Sequence, residues 1–409
     1  MSTAGSVDDG KSTLIGRLLY DNNALTKEQE ALIIKKTKEK GLKELDFSVL
    51  TDGLMAEREQ GITIDVAHIY FSTKTRKFII ADSPGHVEYT RNMVTGSSNA
   101  QVSIILIDAR KGLLEQSYRH FYISQLLRLK TVVFCINKMD LVDYSEDTYL
   151  KIKTQIETLL ASYKHSNPNI KIVPISSLKG DNVVHKSANM TWYKGQTLNS
   201  IIHYVKPSED NYKQFRMDVQ NVLHVQNADF VDYRGVSGRI ASGNISLGDY
   251  VRVLPSKTTA KVSEIRKYKT LLNEAKKGES VLISLDREVD VSRGSMLVKD
   301  NEETKESRVI DATLVWLEES LARKSSLFGI QAGSKIAKSK LTEIVHIIPP
   351  EQPENVQKKD EIKLNDIAEV KLQLSLPMYF DPYQENKANG IFILINPTTN
   401  NTCAVGFVQ

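Results

Sequence analysis

Two hydrophobic rhythms divide the chain. Through its first half, short continuous apolar runs alternate with stretches whose apolar residues recur every three or four positions, the pattern of buried strands alternating with amphipathic helices. Lys77-Phe78-Ile79-Ile80-Ala81, Val132-Val133-Phe134-Cys135-Ile136 and Ile172-Val173-Pro174-Ile175 read as strands. Leu14, Ile15, Leu18 and Leu19 open one helix, and residues 26–40 predict a second, charged one with Gly41 as its stop. Ile152, Ile156, Leu159 and Leu160 stripe a third over 151–163. An α/β fold with a doubly wound, mostly parallel sheet is expected over residues 1–206. After Tyr204-Val205-Lys206-Pro207 the strands become short and alternating, broken by Gly, Asp and Asn turns. Residues 236–243 and 248–253 are the clearest strands of a small antiparallel β-barrel over 207–303. A polar stretch at 299–307 marks the next boundary. Beyond it, 309–317, 341–348, 367–376 and 391–395 predict a second barrel over 304–409. The proline-bearing stretch 349–363 reads as a surface loop.

The chemistry starts at Gly5-Ser6-Val7-Asp8-Asp9-Gly10-Lys11-Ser12, with Thr13 behind it, which fits G-x-x-x-x-G-K-[ST]. Successive backbone N–H groups of such a loop wrap a di- or triphosphate, and the glycines let the backbone approach without a Cβ in the way. Lys11 can reach the β- and γ-phosphates, and the Ser12 hydroxyl can ligate Mg²⁺. The strand ending at Ala81 runs into Asp82-Ser83-Pro84-Gly85-His86. There Asp82 can hold the metal, and Gly85 offers an N–H to the γ-phosphate. Upstream, Gly61-Ile62-Thr63-Ile64-Asp65 supplies the Thr63 hydroxyl for the metal's remaining face.

The strand ending at Ile136 runs into Asn137-Lys138-Met139-Asp140. The Asp140 carboxylate suits a bidentate hydrogen bond with guanine N1–H and N2–H₂, and adenine would leave it unpaired. Ser176-Ser177-Leu178 follow the last strand, placed for backbone contact with guanine O6. Each fragment alone is an ordinary turn composition. Five in this order, three of them directly after apolar strands, read as a GTP site.

Composition narrows the class. At 409 residues the chain exceeds one ordinary core. Its 54 Lys+Arg against 50 Asp+Glu give +4, too even to argue for nucleic acid. Two cysteines, Cys135 and Cys403, make no disulfide framework, and no Cys/His metal cluster stands out. With no signal peptide and no apolar run long enough to span a bilayer, a soluble cytoplasmic protein is expected.

A P-loop GTPase domain followed by two β-barrels resembles the translation-factor GTPases, of which elongation factor Tu is the familiar member. The resemblance implies that His86 orients the water attacking the γ-phosphate. It is closer to the large GTPase subunits of sulfate adenylyltransferase. The run from Gly5 to Leu19, the blocks 56–67, 70–73 and 89–96, and near the end 380–386 and 390–395, all resemble that family. The family implies GTP and Mg²⁺ as ligands. It implies a separate small subunit, carrying the ATP and sulfate chemistry, as partner in a heterodimer or larger hetero-oligomer. GTP hydrolysis then drives formation of adenosine 5′-phosphosulfate and pyrophosphate. No pyrophosphate-loop motif, His-x-x-His or second phosphate loop is present. The alternative is a translation factor carrying aminoacyl-tRNA, against which Asp8-Asp9 and the 380–386 block argue. Three departures stand out, one of them the Cys403-Ala404-Val405-Gly406-Phe407 ending, which is looser than the family's small-residue ending. Ser177 occupies a position where the family usually has alanine. Only Met1 to Ala4 precede Gly5, so either the start is truncated or misassigned, with a loss of stability, or the first strand is unusually short.

Overall fold

In the computed structural model the described residues are 1–42, 44–50, 67–73, 75–82, 90–163, 168–206, 212–225 and 233–409. They fall into two compact units, Met1–Ser208 with Pro350–Asn355 and Glu209–Pro349 with Val356–Gln409.

The first unit runs β1 (Ser2–Ala4), α1 (Lys11–Asp21), α2 (Lys27–Glu39), β2 (Ala67–Ser72), β3 (Lys77–Asp82), α3 (Thr90–Ser98), β4 (Val102–Asp108), α4 (Glu115–Leu126), β5 (Thr131–Asn137), α5 (Glu146–Ala161), β6 (Asn169–Pro174) and α6 (Leu198–Tyr204). Its sheet has the order β2-β3-β1-β4-β5-β6. The pairs from β3 to β6 are parallel, and β2 lies antiparallel on β3. β1 is three residues long yet central: Ser2 pairs with Ala81 and Ser103, and Thr3 with Asp82 and Ile104. β3 and β4 both find a ladder partner in this strand.

One face of the sheet buries Ile80, Leu106, Val133 and Cys135 against Leu14, Ile15 and Leu18 of α1. On β5, Phe134 meets Phe121 of α4 with ring centroids 5.5 Å apart. The charged helix α2 starts where expected, because Thr26 and Gln29 form a reciprocal capping box. α5 begins five residues before the expected start at 151. Ser145 accepts the Thr148 N–H, and Glu146 and Asp147 suit the helix N-terminus, signals that an apolar stripe does not register.

The second unit holds two closed six-stranded rings. In the first, Arg216–Asp218, Tyr233–Ser242, Ser280–Leu285, Thr258–Lys267, Tyr250–Leu254 and Met296–Lys299 pair in that order, and the last returns to the first. Phe215, Met217, Val251, Ile265, Ile283 and Leu297 fill it. The second ring is Glu306–Trp316, Ile367–Tyr379, Lys335–Ile347, Leu327–Ala332, Ile391–Ile395 and Thr402–Val408, around Trp316, Leu341, Leu372 and Phe392.

Leu327–Ala332 and Thr402–Val408 are strands that the sequence pattern did not announce. The stretch 349–363 is not simply a surface loop, since Glu361–Ile362 pairs with Ala322–Arg323 and Pro350–Asn355 belongs to the first unit. Within the second unit, buried Arg216 reaches Glu302 at 2.9 Å and Asp381 at 3.1 Å. Asn386 donates to the Asp381 carboxylate at 2.8 Å and to the Ser242 hydroxyl at 3.1 Å. The 380–386 block thus ties the second ring to strands of the first.

Candidate nucleotide site

The phosphate loop leaves β1 at Gly5 and enters α1 at Lys11. Gly10 has φ +92°, and a Cβ there would lie 2.5 Å from the Asn137 amide nitrogen, so only glycine fits. The loop is braced from within. The Ser6 N–H donates to Asp9 Oδ2 at 2.6 Å, and Lys11 Nζ donates to the carbonyls of Gly5 and Ser6, each at 2.9 Å.

Lys11 is buried, which lowers its ammonium pKa against the opposing pull of Asp82, Asp9 and Asp8. Asp9 is 2% exposed, and its Oδ1 has no hydrogen-bond partner among the described residues. Burial pushes its carboxyl up to about 6, against the Ser6 N–H bond. Asp82 ends β3 fully buried and accepts the Thr3 hydroxyl at 2.8 Å. Ser12 stands in the first turn of α1. A hydroxyl and a buried carboxylate beside a lysine form a hard-oxygen set of the kind Mg²⁺ takes.

The base-reading side hangs on β5. Asn137 Nδ2 donates to the Asp9 carbonyl at 2.7 Å, and its Oδ1 accepts the Ser177 N–H at 2.9 Å. Lys138 takes φ +63° and places its ammonium 3.1 Å from Asp108 Oδ2. Burial works to raise the Asp108 carboxyl, but hydrogen bonds from Arg110 and Lys138 outweigh it and hold it well below the usual carboxylate range. Met139 packs in the core. Asp140 accepts the Ser176 hydroxyl at 2.6 Å, and that hydroxyl accepts the Lys179 N–H at 3.1 Å.

The structure therefore gathers Gly5 to Thr13, Asp82, Asn137 to Asp140 and Ser176 to Leu178 at the ends of β1, β3, β5 and β6. Gly61, Ile62, Thr63, Ile64 and Asp65 lie outside the described residues, as do Ser83, Pro84, Gly85 and His86. Three contributors had no assigned role in the sequence reading. Thr3 orients Asp82, Asp108 anchors Lys138, and Arg17 contacts the 177–178 backbone. Arg17 was visible only as one letter of the run from Gly5 to Leu19, and Thr3 carried no signal.

A phosphate loop and a base-reading loop stitched together on an α/β sheet, with two β-barrels after it, define a P-loop guanine-nucleotide-binding protein. The family model for the elongation factor Tu GTP binding domain matches residues 1–245, and that for the GTP-eEF1A C-terminal domain-like family matches 309–409. Sulfate adenylyltransferase subunit 1 of Cellvibrio japonicus is 44% identical over 409 residues, covering 99% of this chain and 85% of that protein. Its counterpart from Bacteroides thetaiotaomicron is 43% identical over 417 residues, with the same coverage of each. The S. cerevisiae Ski7 GTPase-like domain, solved bound to GDP and inorganic phosphate, shares the fold at TM-score 0.53 and 16% identity. That match covers 100% of this chain and 97% of the other. The chain belongs to the sulfate adenylyltransferase subunit 1 family, within the elongation factor Tu type of GTPases. Among the described residues, no helix is long and apolar enough to cross a membrane.

Proposed function

We propose that this chain is the GTP-hydrolysing subunit of a heteromeric sulfate adenylyltransferase, driving formation of adenosine 5′-phosphosulfate and pyrophosphate from ATP and sulfate. The observation that carries the nucleotide part is the Asn137 amide, which holds the phosphate loop and the guanine loop in one register. Family membership carries the sulfate part.

In this reading the N–H groups from Gly5 to Thr13 surround the phosphates, and Lys11 exchanges its loop carbonyls for β- and γ-phosphate oxygens. Ser12, Asp82 and Thr63 would hold Mg²⁺, which supplies charge neutralisation at the phosphates when bound. Thr3 keeps the Asp82 carboxylate oriented. Gly85 offers its N–H to the γ-phosphate, and His86 orients the attacking water. Asp140, held by Ser176, pairs with guanine N1–H and N2–H₂, and the Ser177–Leu178 backbone meets O6.

Residues 1–206 form the GTP-binding domain in this reading, and 207–303 and 304–409 form the two barrel domains. A separate small subunit in the cytoplasm holds ATP and sulfate. Segments around Gly61 and Gly85 pass the state of the γ-phosphate to it. Co-expression with a candidate small subunit tests the partnership. A stable complex whose GTPase rate exceeds that of this chain alone supports the proposal. Failure to associate, or stimulation by ribosomes instead, overturns it.

A further inference from the structure

We propose that Arg17 is a specificity-determining positioning residue, setting the peptide planes of the loop that reads guanine O6. The inference deepens the guanine-nucleotide reading and rests on it.

Arg17 lies on α1, one helical turn beyond the phosphate loop, yet its guanidinium works on the base side. Nε donates to the Ser177 carbonyl at 3.3 Å, and Nη2 donates to the Leu178 carbonyl. The remaining nitrogen, Nη1, pairs with Asp21 Oδ1 at 3.3 Å, the two side chains being 13% and 11% exposed. The guanidinium also lies 4.5 Å over the ring of fully buried Phe47. An acid, a ring face and two carbonyls therefore fix its plane. Only a planar fork serves two adjacent carbonyls and an acid together, and a lysine ammonium cannot reproduce it.

Across a trans peptide the C=O and N–H point in opposite directions. Drawing the Ser177 carbonyl toward α1 therefore turns the Leu178 N–H away from it. The neighbouring donors are already spent: the Ser177 N–H on Asn137 Oδ1 at 2.9 Å, and the Lys179 N–H on the Ser176 hydroxyl at 3.1 Å. Of three consecutive N–H groups, the Leu178 N–H alone has no protein acceptor among the described residues. It is the group left to meet the guanine O6 acceptor. Adenine presents an amino donor at that position, so a fixed N–H there repels it. The guanine-loop expectation over Ser176, Ser177 and Leu178 thereby narrows to one donor and the side chain that aims it.

The test compares GDP with the 2-aminopurine riboside diphosphate, which lacks O6 and with it the N1–H, by fluorescence titration of the full chain and its Arg17→Met and Arg17→Lys variants. The lost N1–H contact to Asp140 is common to all three proteins and cancels in the comparison. The wild type should prefer GDP. In both variants that preference should shrink about ten-fold, the effect of one lost hydrogen bond, through weaker GDP binding with the O6-less nucleotide little changed. Equal weakening for both nucleotides, or none, would make Arg17 a structural residue only and overturn the proposal. Should Arg17→Met fail to fold, Arg17→Lys decides. A wild type without guanine preference would refute the nucleotide reading itself, a distinct outcome.

Discussion

Asn137 donates its side-chain N–H to the backbone carbonyl of Asp9 at 2.7 Å, joining the end of β5 to the middle of the phosphate loop. The same amide accepts the Ser177 N–H, so the phosphate-binding and base-reading loops share one buried side chain. Neither loop can shift without breaking a hydrogen bond in a water-poor setting, where such bonds matter most.

Asn137→Asp keeps the acceptor for Ser177 but removes the donor to Asp9 and sets a carboxylate against a carbonyl. Calorimetric titration should show guanine-nucleotide affinity falling at least about 100-fold, with a stability loss of about 1–3 kcal/mol in urea unfolding. Affinity near the wild-type value would mean the two loops hold their register without this residue.

Asp9 gives a pH dependence of defined sign. Its carboxyl sits at about 6 in the native chain, above the ordinary 3.8. Between those values the folded protein holds a proton that the unfolded chain has lost. Stability of the nucleotide-free protein therefore falls as pH rises from about 4 to 6, and the full penalty persists above 6. Asp9→Asn should relieve that penalty, on the order of 2–3 kcal/mol, at pH 7 and give no benefit near pH 3.5. A gain that is the same at both pH values would assign the effect to packing.

Ser177 buries a hydroxyl with no hydrogen-bond partner among the described residues. Its contributions to the site run through the backbone, as donor to Asn137 and acceptor from Arg17. Ser177→Ala should leave GDP affinity within about two-fold and raise the thermal midpoint slightly, a gain of up to about 1 kcal/mol. A clear loss of guanine affinity would show that the hydroxyl contacts the ligand.

Arg216 is 1% exposed and serves two carboxylates, Asp381 and Glu302. Arg216→Met removes the cation and leaves both acids uncompensated, which should destabilise the second unit by about 3–5 kcal/mol. Urea unfolding should register this while GDP affinity stays unchanged. An unaltered unfolding midpoint would show that the cluster adds nothing to the seam.

The doubly wound sheet and the two rings were legible because β3, β5 and much of both barrels are apolar runs bounded by turn residues. The site was legible because the spacing from Gly5 to Ser12 and from Asn137 to Asp140 encodes chemistry directly. β1 was not, because Ser2-Thr3-Ala4 is small and largely polar, and it is buried by its place between β3 and β4 rather than by hydrophobicity. Leu327–Ala332 and Thr402–Val408 escaped because Gly329 and Gly406 interrupt their alternation. Arg17 was invisible for another reason: a charged residue on an amphipathic helix reads as solvated, and only the folded chain brings Ser177 and Leu178 to it.

The proposed coupling is tested most directly by pyrophosphate release from ATP and sulfate by this chain combined with a candidate small subunit, with and without GTP. The Lys11→Ala variant serves as comparator. GTP should raise product formation in proportion to GTP hydrolysed, and Lys11→Ala should abolish the increase. Equal product formation without GTP, or with Lys11→Ala, would contradict the coupling.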